Sequence, residues 1–93
     1  MLDFKMFCAA TICGAFLVAS DAHAGPSCTS EPSDTWLSEA QMRTLIDASG
    51  YIVDVFKTTS GNCYEIYGRT DDGKRVEVYY HPITGEVIRE TVR

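Results

Sequence analysis

Residues 63–88, CYEIYGRTDDGKRVEVYYHPITGEVI, read as strand, turn, strand, turn, strand, and that reading decides the fold. The segments 63–69 and 75–81 are rich in β-branched and aromatic residues at alternating positions. Between them Asp71-Asp72-Gly73-Lys74 carries the Asp-Gly pair of a tight hairpin, where glycine takes a positive φ with no Cβ to clash. Pro82 removes a ladder donor and ends the second of these strands. Thr84-Gly85 then turns the chain toward a short last strand over 86–91. Connections this short join antiparallel neighbours, because a parallel pair needs a crossover of about a dozen residues or more.

Working outward, residues 51–58 form a first strand that ends at the turn cluster Thr59-Ser60-Gly61-Asn62. Before it, the period changes from two to that of a helix. Ser38 and Gln41 have the spacing of a capping box, Leu37 can staple onto Met42, and Glu39 suits the positive end of the dipole. Met42, Leu45 and Ile46 recur on one side, Trp36 stands just upstream, and Gly50 supplies the stop, so the helix is predicted over 39–49. The expected architecture is α+β: one N-terminal helix packed on a three- to four-stranded antiparallel β-meander.

Strand alternation assigns faces. Tyr64, Ile66, Val76, Val78 and Tyr80 point toward the helix, joined by Tyr51, Val53 and Val55 of the first strand. The predicted core is Trp36, Leu45, Ile46, Tyr64, Ile66, Val76 and Val78. Glu65, Tyr67, Arg75, Glu77, Tyr79 and His81 point outward, with Phe56 and Asp54 placed beside them.

Residues 1–24 have the layout of a cleaved secretory signal. Lys5 gives a weakly positive start, residues 6–19 form an apolar run too short to span a bilayer, and Ala22-His23-Ala24 offers small residues at −3 and −1. Cleavage removes Cys8, Cys13 and His23 and leaves 69 of the 93 residues. The expected division is a signal over 1–24, an irregular Gly/Pro/Ser/Thr arm over 25–36 and a single domain over 37–93. The location implied is the periplasm or the outside of the cell, with no membrane insertion after cleavage. Residues 25–93 carry 11 acidic and 7 basic side chains, a net charge of −4, without a basic run. That balance argues against nucleic acid and anionic membrane surfaces as partners.

Cys28 and Cys63 remain in an oxidising compartment, which reads as one disulfide. The alternatives are a reactive thiol pair or half of a metal site. Neither cysteine has Cys-x-x-Cys spacing, and His81 is the sole histidine of residues 25–93. In so small a domain the staple matters, since its core alone is marginal.

No cofactor, metal or catalytic constellation is expected. A triad needs a base near a nucleophile, and no serine here sits in a nucleophile motif. Asp71 and Asp72 fit a turn better than a calcium loop, which needs six to eight oxygens. Phe56, Tyr67 and Tyr79, set among charges on the outer face, are the candidate partner-binding residues. Ordinary cross-strand pairing explains the same pattern.

The order helix, Ala-Ser-Gly-Tyr, strand, Asn-Cys-Tyr-Glu-Ile, Asp-Asp-Gly-Lys-Arg-Val-Glu-Val and Pro-Ile-Thr-Gly-Glu-Val resembles the PepSY domain over about 37–88. In particular it looks like the small exported single-domain members. The resemblance implies a helix on an antiparallel sheet and a propeptide-like role: a non-enzymatic module that binds and restrains a secreted or envelope peptidase or another protein. The other reading is a passive structural or stress-related envelope protein with no specific ligand. Many members carry aspartate before the proline of the last turn, where this chain has His81.

Overall fold

The computed structural model describes residues 25–93, so the export signal read at 1–24 lies outside the described residues. After an extended arm and a 3-10 turn at Ser33–Thr35, the chain forms one helix, α1 (Glu39–Ala48), and four strands. These are β1 (Ile52–Thr58), β2 (Tyr64–Arg69), β3 (Arg75–Tyr80) and β4 (Val87–Val92). They make one antiparallel sheet in the order β1-β2-β3-β4. The architecture is α+β, and the fourth strand is complete.

The capping box at the start of α1 is closed in both directions. Gln41 N–H donates to Ser38 Oγ at 3.1 Å, and Ser38 N–H donates to Gln41 Oε1 at 2.8 Å. Such a cap contributes about 1 kcal/mol to a ten-residue helix that would not persist alone. Its entrance is tied to the far hairpin, because Leu37 N–H donates to Pro82 O at 2.8 Å.

Met42 and Ile46, one turn apart, enter the core against Tyr64, Ile66, Val76, Val78 and Tyr80. Leu45 does not. It is 45 % exposed, and its Cδ1 leans over Gly85 in the β3–β4 turn. Leu45 stands about 100° around the axis from Ile46, and a short helix meets the sheet along one ridge only. The expected core is corrected in that residue, and Met42 takes the place given to Leu45. Trp36 is partly rather than fully buried, closing the edge of the core with its ring edge-on to Tyr64 at 5.6 Å between centroids.

Both outer strands carry one extra residue. Val53 pairs with Gly68 and Val55 with Tyr67, so Asp54 is a bulge in β1. Tyr79 pairs with Arg89 and Tyr80 with Val87, which leaves Ile88 as a bulge in β4. Gly68 stands at the first irregularity, where a Cβ would run into the Ile52 carbonyl, so only glycine lets β1 pass this closely.

The β1 bulge reverses the expected faces downstream of it. Val53 packs against the core as predicted. Val55, predicted to face inward, pairs with outward-facing Tyr67 and is exposed. Phe56, predicted to face outward, pairs with Ile66 and packs under the helix. One inserted residue exchanges the two sides of a strand.

Candidate functional site: the outer face of the sheet

Cys28 and Cys63 are bridged, with S–S 2.04 Å and Cα–Cα 5.2 Å. The bridge holds the arm against the open side of the sheet, helped by Cys28 N–H donating to Gly61 O at 2.8 Å and Asn62 Nδ2 donating to Thr29 O at 3.1 Å. The arm reaches Tyr79. Gly25, at φ 90°, lies so close to that ring that a Cβ would fall 2.7 Å from Tyr79 Cε2 and Oη.

The three aromatic candidates are thereby separated. Phe56 lies on the helix side, tilted onto Tyr64 at 5.1 Å and beneath the Arg43 guanidinium at 5.0 Å. Tyr79 is on the outer face but only 6 % exposed, with Arg89 over its ring at 5.6 Å. Tyr67 alone is both outward and open, at 39 % exposure, with Lys57 Nζ 5.4 Å from its ring centroid.

Beneath these rings lies a carboxyl pair. Glu65 is 2 % exposed, although it sits on the sheet face away from the core. Lys57 Nζ stands 3.7 Å from its Oε1, and its Oε2 is buried without a conventional donor. Burial pushes the Glu65 carboxyl above its usual range, and a hydrogen bond with Glu77 pushes it the same way. Glu77 is held below its usual range, first by that hydrogen bond and further by Tyr79 and Arg93. The two shifts run in opposite directions, as expected of neighbouring carboxyls that share a hydrogen bond, with Glu65 the member whose protonated form is favoured. Tyr79 Oη donates to Glu77 Oε2 at 3.1 Å, and Arg93 Nη2 lies 3.7 Å from Glu77 Oε1. Hydrogen bonding to Glu65 raises the Tyr67 phenol, and burial raises that of Tyr79. Sequence alternation places Glu65 outward but carries no sign that it is buried there beside Lys57, Tyr67 and Tyr79.

The chain matches the family described as peptidase propeptide and YPEB domain over residues 8–91, nearly its whole length. It belongs to that family. No curated protein and no solved structure was matched. Domains of this PepSY type are propeptide-like modules related to peptidases and are typically extracellular or periplasmic. Among the described residues no helix is long and apolar enough to cross a membrane.

At the position where many PepSY members carry aspartate, His81 leaves the outward row expected for it and turns into the β3–β4 connection. Its Nδ1 accepts from Ile83 N–H at 3.2 Å and Thr84 N–H at 3.4 Å. An aspartate carboxylate at this position could accept from the same N–H groups, as in an Asx turn.

Proposed function

We propose that the protein is a non-enzymatic, exported PepSY module that restrains a peptidase through the outer face of its sheet, centred on Tyr67. The observation that carries this reading is the exposed Tyr67 ring standing beside the buried Glu65 and paired across the ladder with Glu77. A rigid aromatic with its surroundings already desolvated is the usual anchor of a protein interface. The family's relation to peptidases supports the choice of partner. The site's groups suit contact rather than turnover, because its acids are engaged with each other and with tyrosines. The test is the activity of a panel of secreted metalloproteases with and without the disulfide-intact protein. Inhibition of at least one, relieved by Tyr67→Ser at nearly unchanged stability, is expected. Uniform lack of inhibition would sink the proposal.

One observation favours the passive envelope role instead: helix and arm already cover Phe56 and Tyr79. Under that reading Tyr67→Ser costs only its cross-strand contacts, up to about 1 kcal/mol, and alters no capture of any peptidase.

A further inference from the structure

The charges of residues 25–93 are sorted by the fold. Five of the seven cations project from the outer face of the sheet. Lys57 lies by Glu65 and over Tyr67, Arg69 by Asp54, Arg89 over Tyr79 and Arg93 by Glu77. Arg75 pairs with Arg69 in the ladder and shares its side of the sheet. Only three of the eleven acids, Asp54, Glu65 and Glu77, stand there with them. The outer face therefore carries a formal +2 while the rest of the described chain carries −6. A chain whose net charge disfavours anionic partners presents them with one cationic surface.

The cations are densest where β2 and β3 meet their hairpin. There Arg69, Arg75 and Arg93 ring an open cleft of about 570 Å³, with Val55 and Tyr67 as its apolar wall and Asp54 at its rim. Arg69 holds Asp54 in a two-point pair, with Nη2–Oδ1 at 3.1 Å and Nε–Oδ2 at 3.3 Å. We propose that this end of the outer face receives an extended, acidic segment of the partner protein, its carboxylates on Arg75 and Arg93 and an apolar side chain against Val55 and Tyr67. This proposal rests on the outer face being the contact surface of the preceding reading. Arginine forks bind carboxylates at two points and suit this role better than lysine. A peptide fits better than a polyanion such as nucleic acid or an anionic bilayer. Asp54 and Glu77 interrupt the cations, and the −6 remainder repels a uniformly charged surface. A segment with spaced carboxylates and apolar residues between them meets both features.

The probe is a fluorescein-labelled peptide, acetyl-Glu-Val-Asp-Phe-Glu-Val-Asp-Phe-amide, followed by anisotropy against the disulfide-intact protein. Binding should weaken steeply between about 50 and 300 mM salt as charges are screened. Arg75→Gln with Arg93→Gln should weaken it by about tenfold or more, with the melting curve checked to show that the variant is folded. Glu39→Gln on the helix side should leave it unchanged. Equal binding of a peptide with lysine at the acidic positions, or no binding of the acidic one, would overturn the proposal. So would equally tight binding of single-stranded DNA or phosphatidylglycerol vesicles, which would make the face a general polyanion surface. A peptidase restrained equally by the double-glutamine variant overturns this inference and leaves the restraint reading standing. Acidic-peptide binding that depends on the arginines, with no peptidase restrained, does the reverse.

Discussion

Glu65 and Glu77 stand on neighbouring strands of the outer face, and their contact pushes the two carboxyls apart, Glu65 above its usual range and Glu77 below it. Favouring the protonated form of Glu65 lessens the cost of burying an acid outside the core.

Stability should follow pH through this pair. Glu65 is raised in the folded state, so its contribution is complete below the unfolded carboxyl pKa and is lost as pH climbs through its folded value. Glu77 is lowered, so its contribution is present above the unfolded value and lost as pH falls through the folded one. Glu65→Gln keeps a neutral donor toward Glu77 and removes the first of these losses. The variant should melt above the parent at pH 8, and the gap should close toward pH 4. Thermal melts across that range check it, and a variant less stable at pH 8 would show that Glu65 is needed as an anion.

The helix ridge can be tested by pairing neighbours. Ile46→Ala should cost about 2–4 kcal/mol, as for a fully buried aliphatic side chain. Leu45→Ala, half in solvent over Gly85, should cost about 1 kcal/mol. Urea denaturation of the two variants decides it, and equal losses would put Leu45 back in the core.

Loss of the Cys28–Cys63 bridge should be felt mainly through the unfolded chain. The two residues lie 35 apart in sequence, and closing a loop of that length stabilises by roughly 3–4 kcal/mol in the chain-entropy description. Cys28→Ser with Cys63→Ser should melt well below the parent and keep its strand signal in circular dichroism. Amides of residues 27–30 should exchange faster, and unchanged protection there would mean that the arm is held without the bridge.

His81→Asp should leave stability nearly unchanged, because a carboxylate can accept from Ile83 and Thr84 N–H as Nδ1 does. His81→Ala should cost about 1 kcal/mol for the lost pair of acceptor contacts. Chemical denaturation of both variants gives the comparison, and a harmful aspartate would mean that the ring itself is required.

Much of this was legible in the residues. Asp72-Gly73, Pro82 and the alternation through Tyr64, Ile66, Val76 and Val78 place three strands and their common face without knowledge of distant contacts. Ser38 and Gln41 mark the start of the helix just as directly. The exchange of Val55 and Phe56 was not legible, because β1 offers apolar residues in both phases and only pairing with Gly68 selects the bulge at Asp54. Leu45 and Met42 satisfy the helical period equally, and the sheet's position relative to the axis chooses between them. The cationic face was hidden for a different reason. Its members are scattered from Lys57 to Arg93, and the sign of a surface emerges only once the register of four strands is known.

The bulges at Asp54 and Ile88 have a consequence for how anything can approach this molecule. They fall in β1 and β4, the two strands with an unpaired side. An extra residue breaks the even spacing of N–H and C=O groups that an incoming strand must match, and it twists the edge out of plane. Neither flank of the sheet offers a regular template, so chains should not stack side by side into ribbons. A visitor is turned from the margins toward the broad surface, where recognition depends on side chains and can discriminate by sequence.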